Sequence, residues 1–389
     1  MQGDGVRTRR RLAAAALAAL ALLAACSDGP NQPSEERLAR GREVFRNNTF
    51  GNERFWTDTL HMNQVIETAV DPVTALSVGL KVDADALPPG VLEGADLHSP
   101  ATTVALLKLN AVVGVRAEVD ANNHITRLGV TCALCHSTVD NSVAPGIGRR
   151  MDGWPNRDLD PGKILSLSPA LQSPAAQAVL LSWGPGRYDA RWNIDGRNSP
   201  VVIPPAYGLQ DVALETYTGE GPISYWNRYV AVTQMHGQGS FHDARLGIDI
   251  RRSPDLVDPV LGVLRDYQHS LQAPAPPAGS FDAAASARGK LVFEGKGRCS
   301  SCHAGPAFTD ADARLHAPAE TGMDPVWAER GTTDRYRTSP LRGVWQHPPY
   351  FHDGSARTLG DVVTHYDTVL GLKLTAQEKA DLVEHLKSL

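Results

Sequence analysis

The sequence predicts a mainly α-helical protein of two related units with long irregular loops, the first unit enlarged by an insertion. Three observations predict it. The run Ala39-Arg40-Gly41-Arg42-Glu43-Val44-Phe45 matches Ala287-Arg288-Gly289-Lys290-Leu291-Val292-Phe293 at five of seven positions, so one leading helix is used twice. The stretch Ala273-Pro274-Ala275-Pro276-Pro277-Ala278-Gly279 between them cannot be helical and reads as a linker. Strand signals are few, the best being Val112-Val113-Gly114-Val115. The units are then residues 34–272 and 280–389.

In the second unit, Ser280 caps a helix that runs through Phe293. Thr358-Leu359 leads into a shorter helix carrying Val362, Val363, His365 and Tyr366. Thr375-Ala376-Gln377-Glu378 is a capping box, in which the Thr hydroxyl and the Glu carboxylate satisfy each other's orphan backbone N–H groups. It opens a last helix with Leu382, Val383 and Leu386 on one face. In the first unit 87 positions separate Phe45 from Cys132, whereas six separate Phe293 from Cys299. The first copy is therefore read as interrupted by an insertion at about 46–131, with turns at Pro88-Pro89-Gly90 and Asn122-Asn123.

Both leading helices point toward a pentapeptide of one type, Cys132-Ala133-Leu134-Cys135-His136 and Cys299-Ser300-Ser301-Cys302-His303. C-x-x-C-H is the pattern of c-type haem attachment. Two thiols on adjoining turns can add to the two vinyl groups of one porphyrin, and the following His then lies under the ring to ligate the iron. A single run would also suit a zinc half-site or a redox dithiol. Two runs, each ending in His on an exported chain, read as two covalently bound c-type haems. The units are thus two cytochrome c-like haem domains.

The fifth cysteine, Cys26, belongs to a different pattern. Arg7, Arg9, Arg10 and Arg11 precede an apolar run from Leu12 that closes with Leu23-Ala24-Ala25-Cys26. This is a signal peptide, residues 1–25, whose end resembles a bacterial lipobox. Cys26 is the expected lipidation site, 26–33 the tether, and the protein is expected to be anchored by lipid alone, facing the periplasm or the outside. The net charge of −5 offers no basic footprint for nucleic acid. With 35 Gly, 27 Pro and only 6% aromatics, the chain suits compact helices and loops wrapped around cofactors.

A family resemblance rests on particular residues. Tyr336-Arg337-Thr338-Ser339-Pro340-Leu341-Arg342-Gly343-Val344, then Pro349-Tyr350-Phe351-His352-Asp353-Gly354-Ser355, then Thr358 through Tyr366, resemble the C-terminal half of bacterial di-haem cytochrome c peroxidases and the related MauG enzymes. The last 110 residues also resemble part of the di-haem rubber oxygenases. In the first unit, Arg197-Asn198-Ser199-Pro200 and Gly221-Pro222-Ile223 resemble peroxidase landmarks. The insertion lies outside the resemblance.

The resemblance implies a division of labour. One haem, on His136, would have an open iron position for hydrogen peroxide or dioxygen. The other, on His303, would be six-coordinate and relay electrons from small redox proteins or another donor. Its sixth ligand falls at Tyr366, with His365 as the rival. The family's acid–base Glu falls at Gln234, which can orient a substrate but cannot cycle a proton. His236 could replace it, since imidazole titrates near neutrality. Tyr217 takes the place of the family's bridging Trp, with Trp226 competing. Asn198, with the backbone carbonyls of Thr338 and Pro340, matches a Ca²⁺ site between the domains, Asn198 being equally readable as a turn residue. Two other activities remain open at this stage: electron carriage with both irons closed, and oxygenase action on a hydrophobic substrate.

Overall fold

The computed structural model describes residues 33–389. The leader and Cys26 lie outside the described residues. The fold is mainly helical, with five two-stranded sheets among the described residues. No described helix is long and apolar enough to cross a membrane.

Each unit is closed by the same helix crossing. The leading helix Glu35–Asn47 packs on Leu261–Ser270, and Ala283–Glu294 packs on Ala376–Lys387. The repeat's glycine makes the close approach possible at both crossings. A Cβ on Gly41 would lie 2.1 Å from the Val263 carbonyl oxygen, and one on Gly289 would lie 1.9 Å from that of Asp381. The repeat's Phe sits one turn further along. Phe45 meets Tyr267 edge-on at 5.6 Å, and Phe293 meets His385 at 5.3 Å. The second leading helix is capped by Asp282, whose carboxylate accepts from the Ala285 N–H, two residues later than the Ser280 cap expected from sequence. Capping boxes form at Thr375/Glu378, as expected, and at Thr358/Asp361.

The segment 46–131 is a small structure in its own right. Helices Met62–Ala69, Pro72–Ser77 and Pro100–Lys108 pack beside a hairpin of Val115–Val119 and Ile125–Val130. The hairpin turns at Asn122-Asn123, where Asp120 Oδ1 accepts from the N–H groups of Asn122 and His124. The strand begins at Val115, later than expected, because Gly114 must pass against Leu134: a Cβ there would fall 2.1 Å from the Leu134 nitrogen. The hairpin's second strand runs directly into Cys132. Asn52 ties it down, donating to the Val130 carbonyl at 2.8 Å and accepting from its N–H at 3.1 Å. An apolar cavity of about 70 Å³ lies among Ile66, Leu76, Leu80, Leu107, Val112 and Ile147.

Two apolar cores result. The smaller one joins Phe293, Leu341, Val344, Leu359, Val363 and Leu382. The larger one fills the first unit and takes in Trp327, Ala328 and Tyr336 from beyond the 273–279 linker. This crossing segment carries Arg330, whose fully buried guanidinium pairs with Asp189 at 2.8 Å and with Asp195 at 2.7 Å. The Trp327 ring lies under that guanidinium, 5.0 Å from ring centre to Cζ. A linker break in sequence is therefore spanned by a buried ion pair in space.

Candidate haem-attachment sites

Both pentapeptides form one tight turn closed the same way. The N–H of His136 donates to the Cys132 carbonyl at 3.2 Å, and that of His303 to the Cys299 carbonyl at 2.9 Å. The turn puts two thiols and an imidazole on one short arc of chain. All four cysteines are free of disulfides. Burial raises the Cys132 and Cys135 thiols to about 12 and Cys299 to about 11.

The two histidines share a second feature. His136 Nδ1 lies 3.1 Å from the Pro204 carbonyl oxygen, and His303 Nδ1 lies 3.0 Å from that of Phe308. A carbonyl can only accept, so each Nδ1 carries the proton. Burial lowers both pKa values, that of His136 to about 4, so each ring is neutral near pH 7. A neutral imidazole protonated at Nδ1 leaves the Nε2 lone pair for a metal. Thiols, ring orientation and tautomer all fit a c-type haem at both places.

Beside the second run, the helix Leu359–Val369 separates its two candidate ligands. Tyr366 is half-buried and feels Cys302 and Cys299 electrostatically, its phenol raised to about 12 chiefly by burial. The His365 Nε2 lies 2.8 Å from the Thr321 carbonyl oxygen. Adjacent helical residues point about 100° apart, and of the two it is the Tyr that senses the thiols.

Beside the first run, Gln234 is buried and fully engaged. Its Oε1 accepts from the Tyr188 hydroxyl at 2.9 Å, and its Nε2 donates to Asn193 Oδ1 at 3.0 Å. Tyr188 feels Cys135, and burial raises its pKa strongly, so it stays a neutral donor. His236 takes another direction. Its ring stacks on Phe55 with centroids 3.6 Å apart, and burial lowers its pKa to about 4. Gln234 and His236 are thus neighbours in sequence with separate surroundings.

Tyr217 is half-buried and senses the guanidinium groups of both Arg157 and Arg337, its hydroxyl 3.3 Å from the Val202 carbonyl oxygen. The competing Trp226 stacks on Tyr229 at 5.1 Å. The calcium candidates are engaged separately. Asn198 Oδ1 accepts from Trp183 Nε1 at 3.0 Å, and the Thr338 carbonyl accepts from the Thr309 hydroxyl at 2.6 Å.

Sequence reasoning did not single out Tyr188, Arg157 or the carbonyls of Pro204 and Phe308. None stands in a recognisable local pattern; only the fold brings them to the histidines. Arg337 lies within the quoted landmark stretch, yet nothing in the sequence marks its burial.

No family profile matches the chain. Among curated proteins, it is 29% identical to "Cytochrome-c peroxidase IdrP1" of Denitromonas iodatirespirans, over 26% of this chain and 39% of that one. It is 30% identical to "Methylamine utilization protein MauG" of Methylorubrum extorquens, over 26% of this chain and 33% of that one. It is also 30% identical to "Hydrazine synthase subunit gamma" of Kuenenia stuttgartiensis, over 27% of this chain and 41% of that one. The chain thus spans well under half the length of these relatives. Among solved structures, a Kuenenia stuttgartiensis hydrazine synthase covers 49% of this chain and 73% of its own, at 22% identity and a TM-score of 0.33. A MauG-like protein associated with microbial copper homeostasis covers 33% and 56%, at 22% identity and a TM-score of 0.26. The sequence matches establish a relationship to the di-haem cytochrome c peroxidase and MauG superfamily, over about a quarter of the chain.

Proposed function

We propose that the chain is a di-haem c-type oxidoreductase that reacts with hydrogen peroxide or dioxygen at the His136 site and relays electrons through the His303 site. The observation that carries this reading is the repeated arrangement of two free thiols and a neutral His whose Nδ1 is held by a carbonyl. Haem supplies the redox chemistry when bound, and the protein sets ligands, access and protons.

The parts played by the chain differ at the two sites. At the second, Tyr366, which senses the attachment thiols, would be the sixth ligand, while His365 holds the Thr321 carbonyl. At the first, Tyr188 and Gln234 offer a hydroxyl and an amide but no carboxylate. That pair can hold and orient a small oxidant by hydrogen bonds. It lacks the group that takes a proton and returns it, so proton transfer here is slower than with a Glu in the same place. Tyr217, which senses both Arg157 and Arg337, would carry electrons between the sites. Export and a lipid at Cys26 complete the reading; a Ca²⁺ ion at Asn198, Thr338 and Pro340 would have to displace the Trp183 and Thr309 contacts that now engage two of those oxygens.

The test uses His136→Ala and His303→Ala, each with the haem at the other run retained. His136→Ala abolishes the initial reaction with peroxide. His303→Ala leaves that first reaction intact and slows turnover with a reduced electron donor. Equal loss of the initial reaction in both variants would overturn the division of roles.

A further inference from the structure

Two half-buried arginines carry guanidinium nitrogens that are buried without a partner and lack the carboxylate that several others have. The arginines with nearly buried side chains in ion pairs each meet a carboxylate: Arg150 meets Asp83, Arg191 meets Glu220, and Arg330 meets Asp189. Arg157 and Arg337 are in no ion pair among the described residues. Arg157 donates through one terminal nitrogen to the His347 carbonyl at 2.9 Å, while its Nε and other terminal nitrogen are buried without a partner. Arg337 is half-buried, with Nε and one terminal nitrogen likewise buried and unpartnered. The groups that act on Arg157 are the phenols of Tyr217, Tyr207 and Tyr350; those that act on Arg337 are Tyr217 and the more distant Glu215. Burial lowers both pKa values, that of Arg337 to about 10, which leaves Arg337 a cation near neutrality.

A buried cation with unmet donors is costly, and a planar guanidinium with two free N–H groups matches a carboxylate in particular. The position says which carboxylate. Arg157 acts electrostatically on His136, and Arg337 opens the stretch whose Ser339 backbone contacts the His303 ring. A porphyrin held at either run carries two propionates. We propose that Arg157 and Arg337 form a carboxylate site astride Tyr217, Arg157 receiving a propionate of the His136 haem and Arg337 one of the His303 haem. This rests on the di-haem reading above. Arg157 and Arg337 would then each supply the cation that a bound propionate needs, with Tyr217 coupled to both.

The experiment is a spectroelectrochemical titration of the holoprotein with R157Q and R337Q, after counting haem by pyridine haemochrome. Two haems per chain in the parent upholds the di-haem reading; none would sink that reading itself. Removing a cation beside a propionate disfavours the added electron. R157Q is expected to shift the Fe(III)/Fe(II) equilibrium of the His136 haem about tenfold toward Fe(III), or about 59 mV for one electron, with little change at the other. R337Q is expected to do the same at the His303 haem. R157K and R337K keep the charge and are expected to stay near the parent. Two haems retained with both potentials unmoved in the Gln variants would overturn the proposal, as would Lys variants shifted as far as the Gln variants. The parent alone gives a reading if a Gln variant fails to fold. With haem labelled at the propionate carboxyls with ¹³C, redox-difference infrared spectra are expected to show ionised carboxylate bands at neutral pH. Protonated-acid bands would overturn the site.

Discussion

His365 is held by Thr321, its Nε2 2.8 Å from the Thr321 carbonyl oxygen, while its neighbour Tyr366 is the one of the pair that senses the Cys299 and Cys302 thiols. A carbonyl accepts, so the Nε2 that a metal would need carries a proton here. Tyr366→Phe is therefore expected to convert the spectrum of the His303 haem from six-coordinate to a weaker-field form. His365→Ala leaves that spectrum in place. Magnetic circular dichroism of the two variants decides it; the reverse pattern would make His365 the ligand.

Gln234 is hydrogen-bonded on both ends, to Tyr188 and to Asn193. Gln234→Glu keeps the length and adds a group that can take up a proton. Peroxide turnover is expected to rise by about 10²-fold, within the range that general acid–base catalysis supplies. The base form must be ionised to accept the proton. The gain should therefore appear as pH rises through the new carboxyl's pKa, and vanish below it. A steady-state pH profile checks this, and unchanged turnover at every pH would contradict it.

The helix crossings leave no space for a methyl group. A Cβ at Gly41 or Gly289 would meet a backbone carbonyl oxygen at 2.1 or 1.9 Å, and backbone cannot swing aside as a side chain can. Gly41→Ala and Gly289→Ala are each expected to destabilise the protein by about 1–3 kcal/mol, the usual cost of overpacking. Ala substitution at Gly360, a helical position whose nearest neighbouring atom would be 3.5 Å from the new Cβ, is the control for crowding. Denaturant unfolding of the holoprotein measures the difference.

Arg330 joins the segment beyond the linker to the first unit through Asp189 and Asp195. Arg330→Met strands the Asp189 carboxylate, which has no exposed surface, and is expected to cost about 3–5 kcal/mol. Arg330→Met combined with Asp189→Leu removes both charges and should recover much of that loss. A double variant no better than the single one would show that the ion pair is not what binds the segment.

Much of the scaffold was legible because it is local. The repeat named both leading helices, and Thr375 and Glu378 named the last one, since capping depends on residues three apart. The haem runs were legible for the same reason: both thiols and the His lie within five residues. The Ser280 cap gave way to Asp282, whose carboxylate is a stronger acceptor for the Ala285 N–H. What sequence could not show is long-range. Pro204 reaches His136 across 68 positions, and Tyr188 reaches Gln234 across 46. The path of Trp327 and Arg330 into the first core was hidden by the proline-rich linker, which breaks the helix pattern without separating the packing.

Low-temperature EPR of the oxidised holoprotein, before and after peroxide, tests the central claim most directly. The account predicts one high-spin ferric signal, lost in the His136→Ala variant and consumed by peroxide in the parent, beside one low-spin signal that depends on Tyr366. Two low-spin signals indifferent to peroxide, in both oxidised and half-reduced protein, would mean two closed irons and an electron carrier instead.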